Sequence, residues 1–148
     1  MSITDFRDNI PAGNFKWLSN FYMVEVVYDG VTYKSTEHAY QAAKTLLPAE
    51  RRTIQEASSC GKSKRLGQKV KLRPDWEAIK VDVMYDLLQQ KFEDPELRKK
   101  LIATGDQHLV EGNTWQDFWW GVCDGRGRNH LGRLLMDVRD EIQKEEEG

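Results

Sequence analysis

Two runs of β-branched and aromatic residues flank the dipeptide Asp29-Gly30, and this arrangement constrains the fold more than any other part of the 148-residue chain. Residues 24–28 and 31–34 have the composition of β-strands. Asp-Gly between two such runs favours a type I′ turn, which joins antiparallel strands. The sequence therefore predicts a small β-hairpin near the N-terminus.

The remaining periodic segments are mostly helical. We expect helices at residues 36–47, 48–57, 76–92 and 95–103, a short strand at 108–112, and a long C-terminal helix beginning near Leu131. Pro48 and Pro95 suit the first helical position. The fold class is thus α+β and mainly α-helical. We expect one domain over residues 1–148, with flexible ends at 1–14 and 144–148.

Composition excludes several classes of protein. The net charge is −2, so no global field attracts the chain to nucleic acid or to a membrane. Cys60 and Cys123 are far apart, which favours a reduced cytoplasmic setting over a disulfide framework. Three scattered histidines make a structural zinc site improbable. No apolar run is long enough to span a bilayer, and no signal peptide is evident.

The segment 35–44 carries an unusual polar stripe. Small alanines lie largely on one side of this predicted helix, and the other side presents an acid, a phenol, an amide and an amine: Glu37, Tyr40, Gln41 and Lys44. One interpretation is an ordinary solvated face with a spaced Glu/Lys pair. The other is a catalytic stripe at the wall of a pocket.

Two further segments each allow two interpretations. The only marked charge asymmetry is a basic run without acids between Ser58 and Pro74, which is either a solvated helix face or a contact surface for phosphate or nucleic acid. A glycine-rich loop at 124–129 precedes the last helix. It is either a phosphate cradle at a helix N-terminus or a plain helix-entry loop.

Several separated motifs coincide with one known pattern. Residues 18–21, 35–44, 67–76, 91–92, 109–111, 117–121 and 125–136 carry it. On these motifs the chain resembles the NADAR family, also called YbiA-like, over residues 15–142. The resemblance implies a single mainly helical domain with a small amount of β-structure. It also implies an N-glycosidase that needs no metal or cofactor and cleaves a ribosyl bond to a nitrogen base.

Two substrate classes follow from the resemblance: phosphoribosylamino-pyrimidine intermediates of riboflavin synthesis, and ADP-ribosyl-guanine in nucleic acid. The expected partner is thus a nucleotide-like small molecule or ADP-ribosylated nucleic acid, and not a membrane. The expected catalytic residues are Glu37, Lys44 and Asp117, and the expected phosphate contacts are Lys64 and Arg65. The expected substrate-binding residues are Asn20, Phe21, His38, Tyr40, Gln41, Trp76, Trp119, Trp120, Gly125, Gly127 and Asn129.

The chemistry of glycosidic cleavage suits these residue types. A fixed carboxylate stabilises the positive charge that develops on the ribose or activates water, and glycosidases often use two acids. Lys44 is a Schiff-base nucleophile, a phosphate contact or a partner that holds Glu37. Two other functions are compatible with the sequence: a non-catalytic module that binds ADP-ribose or a nucleotide, and a nucleic-acid-binding protein that uses residues 62–73.

Overall fold

A computed structural model describes residues 2–4, 6 and 15–148 and shows a helix-rich α+β fold, as predicted. The strands are β1 (Ser2–Ile3), β2 (Met23–Tyr28), β3 (Val31–Ser35) and β4 (His108–Leu109), and a 3₁₀ helix covers Lys16–Leu18. The helices are α1 (Thr36–Ala43), α2 (Pro48–Gln55), α3 (Cys60–Gly67), α4 (Trp76–Lys91), α5 (Pro95–Ala103) and α6 (His130–Glu147). Of the predicted flexible segment 1–14, only residues 2–4 and 6 are described, and Ser2–Ile3 form β1.

The chain divides into two compact units, and residues 20–91 form one of them. This unit contains the predicted hairpin, in which β2 and β3 pair antiparallel with Tyr28 opposite Val31. Asp29 and Gly30 have φ angles of 51° and 78°, the two positive values that a type I′ turn requires. The prediction of the hairpin and its turn is confirmed.

Helix α1 is the centre of this unit. It contacts α2, α3, α4 and both strands of the hairpin, and all eight of its residues are buried. The interpretation of residues 37–44 as a solvated face is therefore wrong. The amphipathic pattern predicted one exposed side, whereas the surrounding helices and strands bury both the polar side and the alanine side of α1.

The end of α1 also differs from the prediction. The helix stops at Ala43 rather than 47, because the Arg73 backbone N–H donates to the Lys44 carbonyl at 2.8 Å and Pro48 starts α2. Leu46, which lies beyond the end of α1, is 56% exposed. Helix α2 ends at Gln55, two residues before the predicted end.

Lys91, at the end of α4, occupies a core position that the helical period indicated. Its side chain is fully buried, and its amine lies 5.8 Å from the centre of the Tyr22 ring. Burial lowers the pKa of Lys91 from 10.5 to about 7, and the nearby Cys60 opposes this shift. The folded chain thus releases this proton near pH 7, whereas the unfolded chain holds it to about pH 10.5.

This difference predicts that Lys91 destabilises the fold fully below about pH 7 and progressively less as the pH rises towards 10.5. In the wild type, the free energy of unfolding should therefore rise by up to about 1.4 kcal/mol per pH unit over that interval, and Lys91→Met should abolish this rise. Urea unfolding of wild type and variant at several pH values measures the slope. The exposed Lys99→Met is the control and should run parallel to wild type; a parallel Lys91→Met curve would contradict the prediction.

The second unit comprises residues up to 19 together with 92–148. Strand β1 pairs parallel with β4, which covers residues 108–109 only rather than the predicted 108–112. Helices α5 and α6 pack together, and Arg139 of α6 donates to the Thr104 hydroxyl and the Gln107 carbonyl. Arg98 pairs with Glu145 and Glu146 at 3.0 Å.

These Arg98 pairs lie where a frayed end was expected, and α6 instead continues to Glu147. Within residues 2–4, 6 and 15–148, no helix has both the length and the apolar composition that crossing a membrane needs.

Candidate active site

Glu37 lies in the first turn of α1, where the local sequence fixes the backbone. The Ser35 hydroxyl caps the helix by accepting from the His38 backbone N–H at 3.1 Å. The Glu37 N–H donates to the Asn20 carbonyl at 3.2 Å, which ties the residues before the hairpin to the helix start. A carboxylate in this position is stabilised by the helix dipole.

Gln41, one turn further along α1, holds this carboxylate. Its Nε2 donates to Glu37 Oε1 at 2.8 Å. Only 7% of Glu37 and 3% of Gln41 is exposed, so the hydrogen bond is shielded from bulk water. Hydrogen bonds to a charged group are among the stronger ones in proteins, and this bond fixes the direction of the Glu37 carboxylate.

Lys44 completes the polar stripe at the C-terminal end of α1. Its amine lies 5.6 Å from the centre of the Tyr40 ring. Burial lowers the pKa of Lys44 from its usual 10.5, the negative charge of Glu37 opposes this, and the positive charges of Lys64 and Lys80 lower it further. Three amines and one carboxylate therefore share an electrostatic neighbourhood.

Aromatic rings lie on the same part of the unit. The ring centres of Tyr40 and Trp76 are 5.1 Å apart with planes tilted by 58°, and Trp76 is 4% exposed. Asn20 is also nearly buried; its Nδ2 donates to the Met84 sulfur at 3.5 Å, while its Oδ1 has no hydrogen-bond partner among the described residues. Phe21, by contrast, is exposed.

Lys80 supplies a further positive charge that acts on Lys44, although the sequence did not identify it. Its side chain is largely shielded, and its amine pairs with Glu77 at 2.5 Å. Trp76 and Lys80 are spaced i, i+4 on α4, so they share one helix face. That spacing, combined with the expected role of Trp76, was the signal that would have identified Lys80.

His38, expected to bind substrate, lies instead in the core of the unit. It is fully buried, and its ring nitrogens contact the Ser35 hydroxyl at 2.7 Å and the Ala57 carbonyl at 3.0 Å. Burial also lowers the pKa of His38. Because both ring nitrogens bond to the protein, His38 has a structural role, and its role as a substrate contact stays a prediction.

The basic run does not form one surface. Lys64 is near enough to Lys44 to lower its pKa, whereas Arg65 is exposed on the outside of α3. Arg73 is structural, since it pairs with Asp75 at 2.7 Å and donates to the Tyr28 hydroxyl at 3.2 Å. The role of Lys64 and Arg65 as phosphate contacts stays a prediction.

Asp117 belongs to the second unit, where its carboxylate organises a loop. Oδ1 accepts from the backbone N–H groups of Trp119 at 3.2 Å and Trp120 at 2.9 Å. The Asn113 side chain holds the Asp117 backbone from both sides, accepting from its N–H and donating to its carbonyl. Asp117 therefore has a structural role in this loop, and its catalytic role stays a prediction.

The two tryptophans of this loop are packed differently. The Trp119 ring centre lies 4.1 Å from that of His130, and the Arg128 guanidinium lies 5.4 Å from the Trp119 ring. Trp120 meets Trp119 and His130 edge-on, at ring-centre distances of 6.4 and 6.3 Å. The substrate-binding role of both tryptophans stays a prediction.

The glycine-rich loop contains a tight turn. Asp124 and Gly125 have positive φ angles, and Cys123 and Arg126 exchange two backbone hydrogen bonds across them. A Cβ at Gly127 would lie 2.1 Å from the Gly121 carbonyl, so Gly127 serves close backbone packing. The turn geometry accounts for both glycines, and the substrate-binding role of Gly125 and Gly127 stays a prediction.

Asn129 ends this loop and is also structural. It is buried, its Nδ2 donates to the Leu109 carbonyl, and its Oδ1 accepts from the Glu111 N–H, each at 2.9 Å. Both ends of the amide are therefore used within the protein. The expectation that Asn129 reads a base or ribose edge stays a prediction.

Comparison with known proteins places the chain in a family. Residues 7–143 match the NADAR domain. The chain belongs to the NADAR family. The match spans residues of both compact units, as the resemblance in the separated motifs predicted.

Relatives in the NADAR family carry two kinds of name. The chain is 40% identical over 128 residues to "N-glycosidase YbiA" of Escherichia coli (strain K12), which covers 84% of this chain and 79% of that protein. It is 36% identical over 152 residues to a riboflavin biosynthesis protein of Vibrio vulnificus (strain YJ016), with 95% of this chain covered. The chain spans only 41% of the length of that Vibrio protein.

A solved structure has the same NADAR fold. The NMR structure of the E. coli protein YbiA matches with a TM-score of 0.82 and 35% identity, covering 99% of this chain and 89% of that one.

Proposed function

We propose that this NADAR protein is an N-glycosidase that cleaves the bond between a phosphorylated ribose or ADP-ribose and a nitrogen base. The observation that carries the proposal is the buried Glu37 carboxylate, held at 2.8 Å by Gln41 beside Lys44, Tyr40 and Trp76. The name N-glycosidase, borne by E. coli YbiA, supports the same reaction class.

Glu37 is suited to the step in which the glycosidic bond breaks. As the C1′–N bond lengthens, its electron pair moves to the base nitrogen and positive charge develops on the ribose. A preorganised carboxylate near C1′ stabilises that charge, and it can take a proton from the water that adds to C1′. The departing nitrogen gains a proton, and the products are the free base and the ribose derivative.

The neighbouring side chains suit the two ends of such a substrate. The amines of Lys44, Lys64 and Lys80 provide positive charge for a phosphate or pyrophosphate group. The rings of Tyr40 and Trp76 lie beside them and offer an aromatic wall to a base. This combination supports a phosphorylated nucleoside-like substrate over a neutral sugar.

Two substrate classes fit the proposal and can be separated by experiment. Purified protein is incubated with DNA carrying ADP-ribosyl-guanine and, separately, with a phosphoribosylamino-pyrimidine intermediate of riboflavin synthesis. Chromatography and mass spectrometry then detect the released base and ribose product. Turnover of one substrate at a rate well above the other identifies the class, and no turnover of either by folded protein would reject both assignments.

A binding measurement separates the enzyme from a non-catalytic module. Calorimetry with ADP-ribose should show binding that weakens when Lys64 or Lys80 is replaced by Met, because each removes a positive charge near Lys44. Binding without product from either substrate would assign the chain as a reader of ADP-ribose or a nucleotide. Steep salt dependence with unmodified DNA would instead favour nucleic-acid binding through residues 62–73.

A further inference from the structure

We propose that Gly67 is a positioning residue for the site, because the missing side chain leaves the space in which Gln41 holds Glu37. The inference rests on the proposed function of Glu37. It concerns Gly67, the last residue of α3, the helix that also carries Lys64.

The contact between Gly67 and Gln41 is closer than any side chain would permit. A Cβ built on Gly67 would lie 1.9 Å from Oε1, 2.7 Å from Cδ and 3.0 Å from Cβ of Gln41. The φ angle of Gly67 is outside the left-handed region, so the backbone itself would accept any residue. The requirement for glycine at this position is therefore one of space.

The hydrogen bond to Glu37 fixes the orientation of the Gln41 amide. Its Nε2 donates to Glu37, whereas its Oε1 faces Gly67 and has no hydrogen-bond partner among the described residues. Turning the amide over would place Oε1 against the Glu37 carboxylate, acceptor against acceptor. The close approach of Gly67 thus lets Gln41 reach Glu37 in the only orientation that can donate.

A methyl group at Gly67 should displace the end of Gln41 and leave the fold intact. The atoms that it meets belong to a side chain with several rotatable bonds rather than to the backbone. Since Gln41 is buried, the displaced amide has few alternative positions that keep the bond to Glu37. The carboxylate would lose its orienting partner, and a misplacement of about 1 Å can lower a rate on the order of 10²-fold.

The test is a double-mutant cycle on the substrate that the wild type turns over. Gly67→Ala should lower kcat on the order of 10²-fold and change KM by less than about three-fold. In a Gln41→Ala background, which removes the amide and its contacts at 1.9 and 2.7 Å and keeps only the Cβ at 3.0 Å, Gly67→Ala should have at most a small further effect. Gly61→Ala is the matched control on the same helix, because its Cβ meets only Arg65 Nη1 at an ordinary 3.7 Å.

The outcomes are separable from those of the proposed function. Wild-type kcat in Gly67→Ala, or an equal loss in the Gln41→Ala background, would overturn the inference. If Gly67→Ala alone fails to fold, the double variant should fold like Gln41→Ala, and failure of the double variant would also overturn it. The NMR signal of the Gln41 side-chain amide tests the contact without any substrate: it should shift in Gly67→Ala and stay unchanged in Gly61→Ala.

Discussion

Glu37→Gln should lower kcat by about 10²- to 10⁴-fold while leaving the melting temperature close to that of wild type. The new side chain keeps the size of Glu37 and an oxygen that can accept from Gln41 Nε2, so the packing around α1 survives. What disappears is the negative charge that faces the developing positive charge on the ribose. Steady-state kinetics and a thermal unfolding curve on the same sample separate these two effects.

The control for this prediction is another carboxylate in the same unit. Glu56 follows α2 and is exposed, so Glu56→Gln should retain wild-type kcat and KM. Activity of Glu37→Gln within about three-fold of wild type would move Glu37 from the catalytic to the structural residues. A large drop in melting temperature would show that the charge mainly supports the fold.

The parts of the fold that depend on local sequence could be predicted. Asp29-Gly30 admits few backbone conformations, and the structure contains the turn that it indicates. Pro95 marks the start of α5, and the stripe that includes Lys91 marks the buried side of α4. In each case the local backbone conformation is determined by a few consecutive residues. Tertiary contacts therefore did not have to be known to predict it.

The environment of α1 could not be predicted in the same way. A helix with one polar side is normally solvated on that side, whereas the elements packed around α1 bury Glu37 and Gln41. The contact between Gly67 and Gln41 joins residues far apart in sequence, and a glycine leaves no pattern that reveals its neighbour. The internal hydrogen bonds of Asn129 to Glu111 and Leu109 were likewise not indicated by the sequence around it.

The second large effect is expected at Lys44, which we propose acts as a neutral amine. Burial, together with Lys64 and Lys80, lowers the pKa of Lys44, so its uncharged form is present at lower pH than in an ordinary lysine. If that form attacks C1′ of the opened sugar, kcat should rise with pH through the lowered pKa. Lys80→Met removes one nearby positive charge, raises the pKa of Lys44 and should move this rise to higher pH.

Substitution distinguishes the attacking amine from a simple positive charge. Arginine keeps the charge but does not deprotonate, so Lys44→Arg should be as inactive as Lys44→Met, each reduced on the order of 10²-fold or more. In the wild type, the amine would form a C=N bond to C1′ as the base departs, and borohydride would reduce that imine to a stable adduct on Lys44. Substantial activity in Lys44→Arg, without any adduct in the wild type, would instead make Lys44 a phosphate contact, because only the positive charge would then be needed.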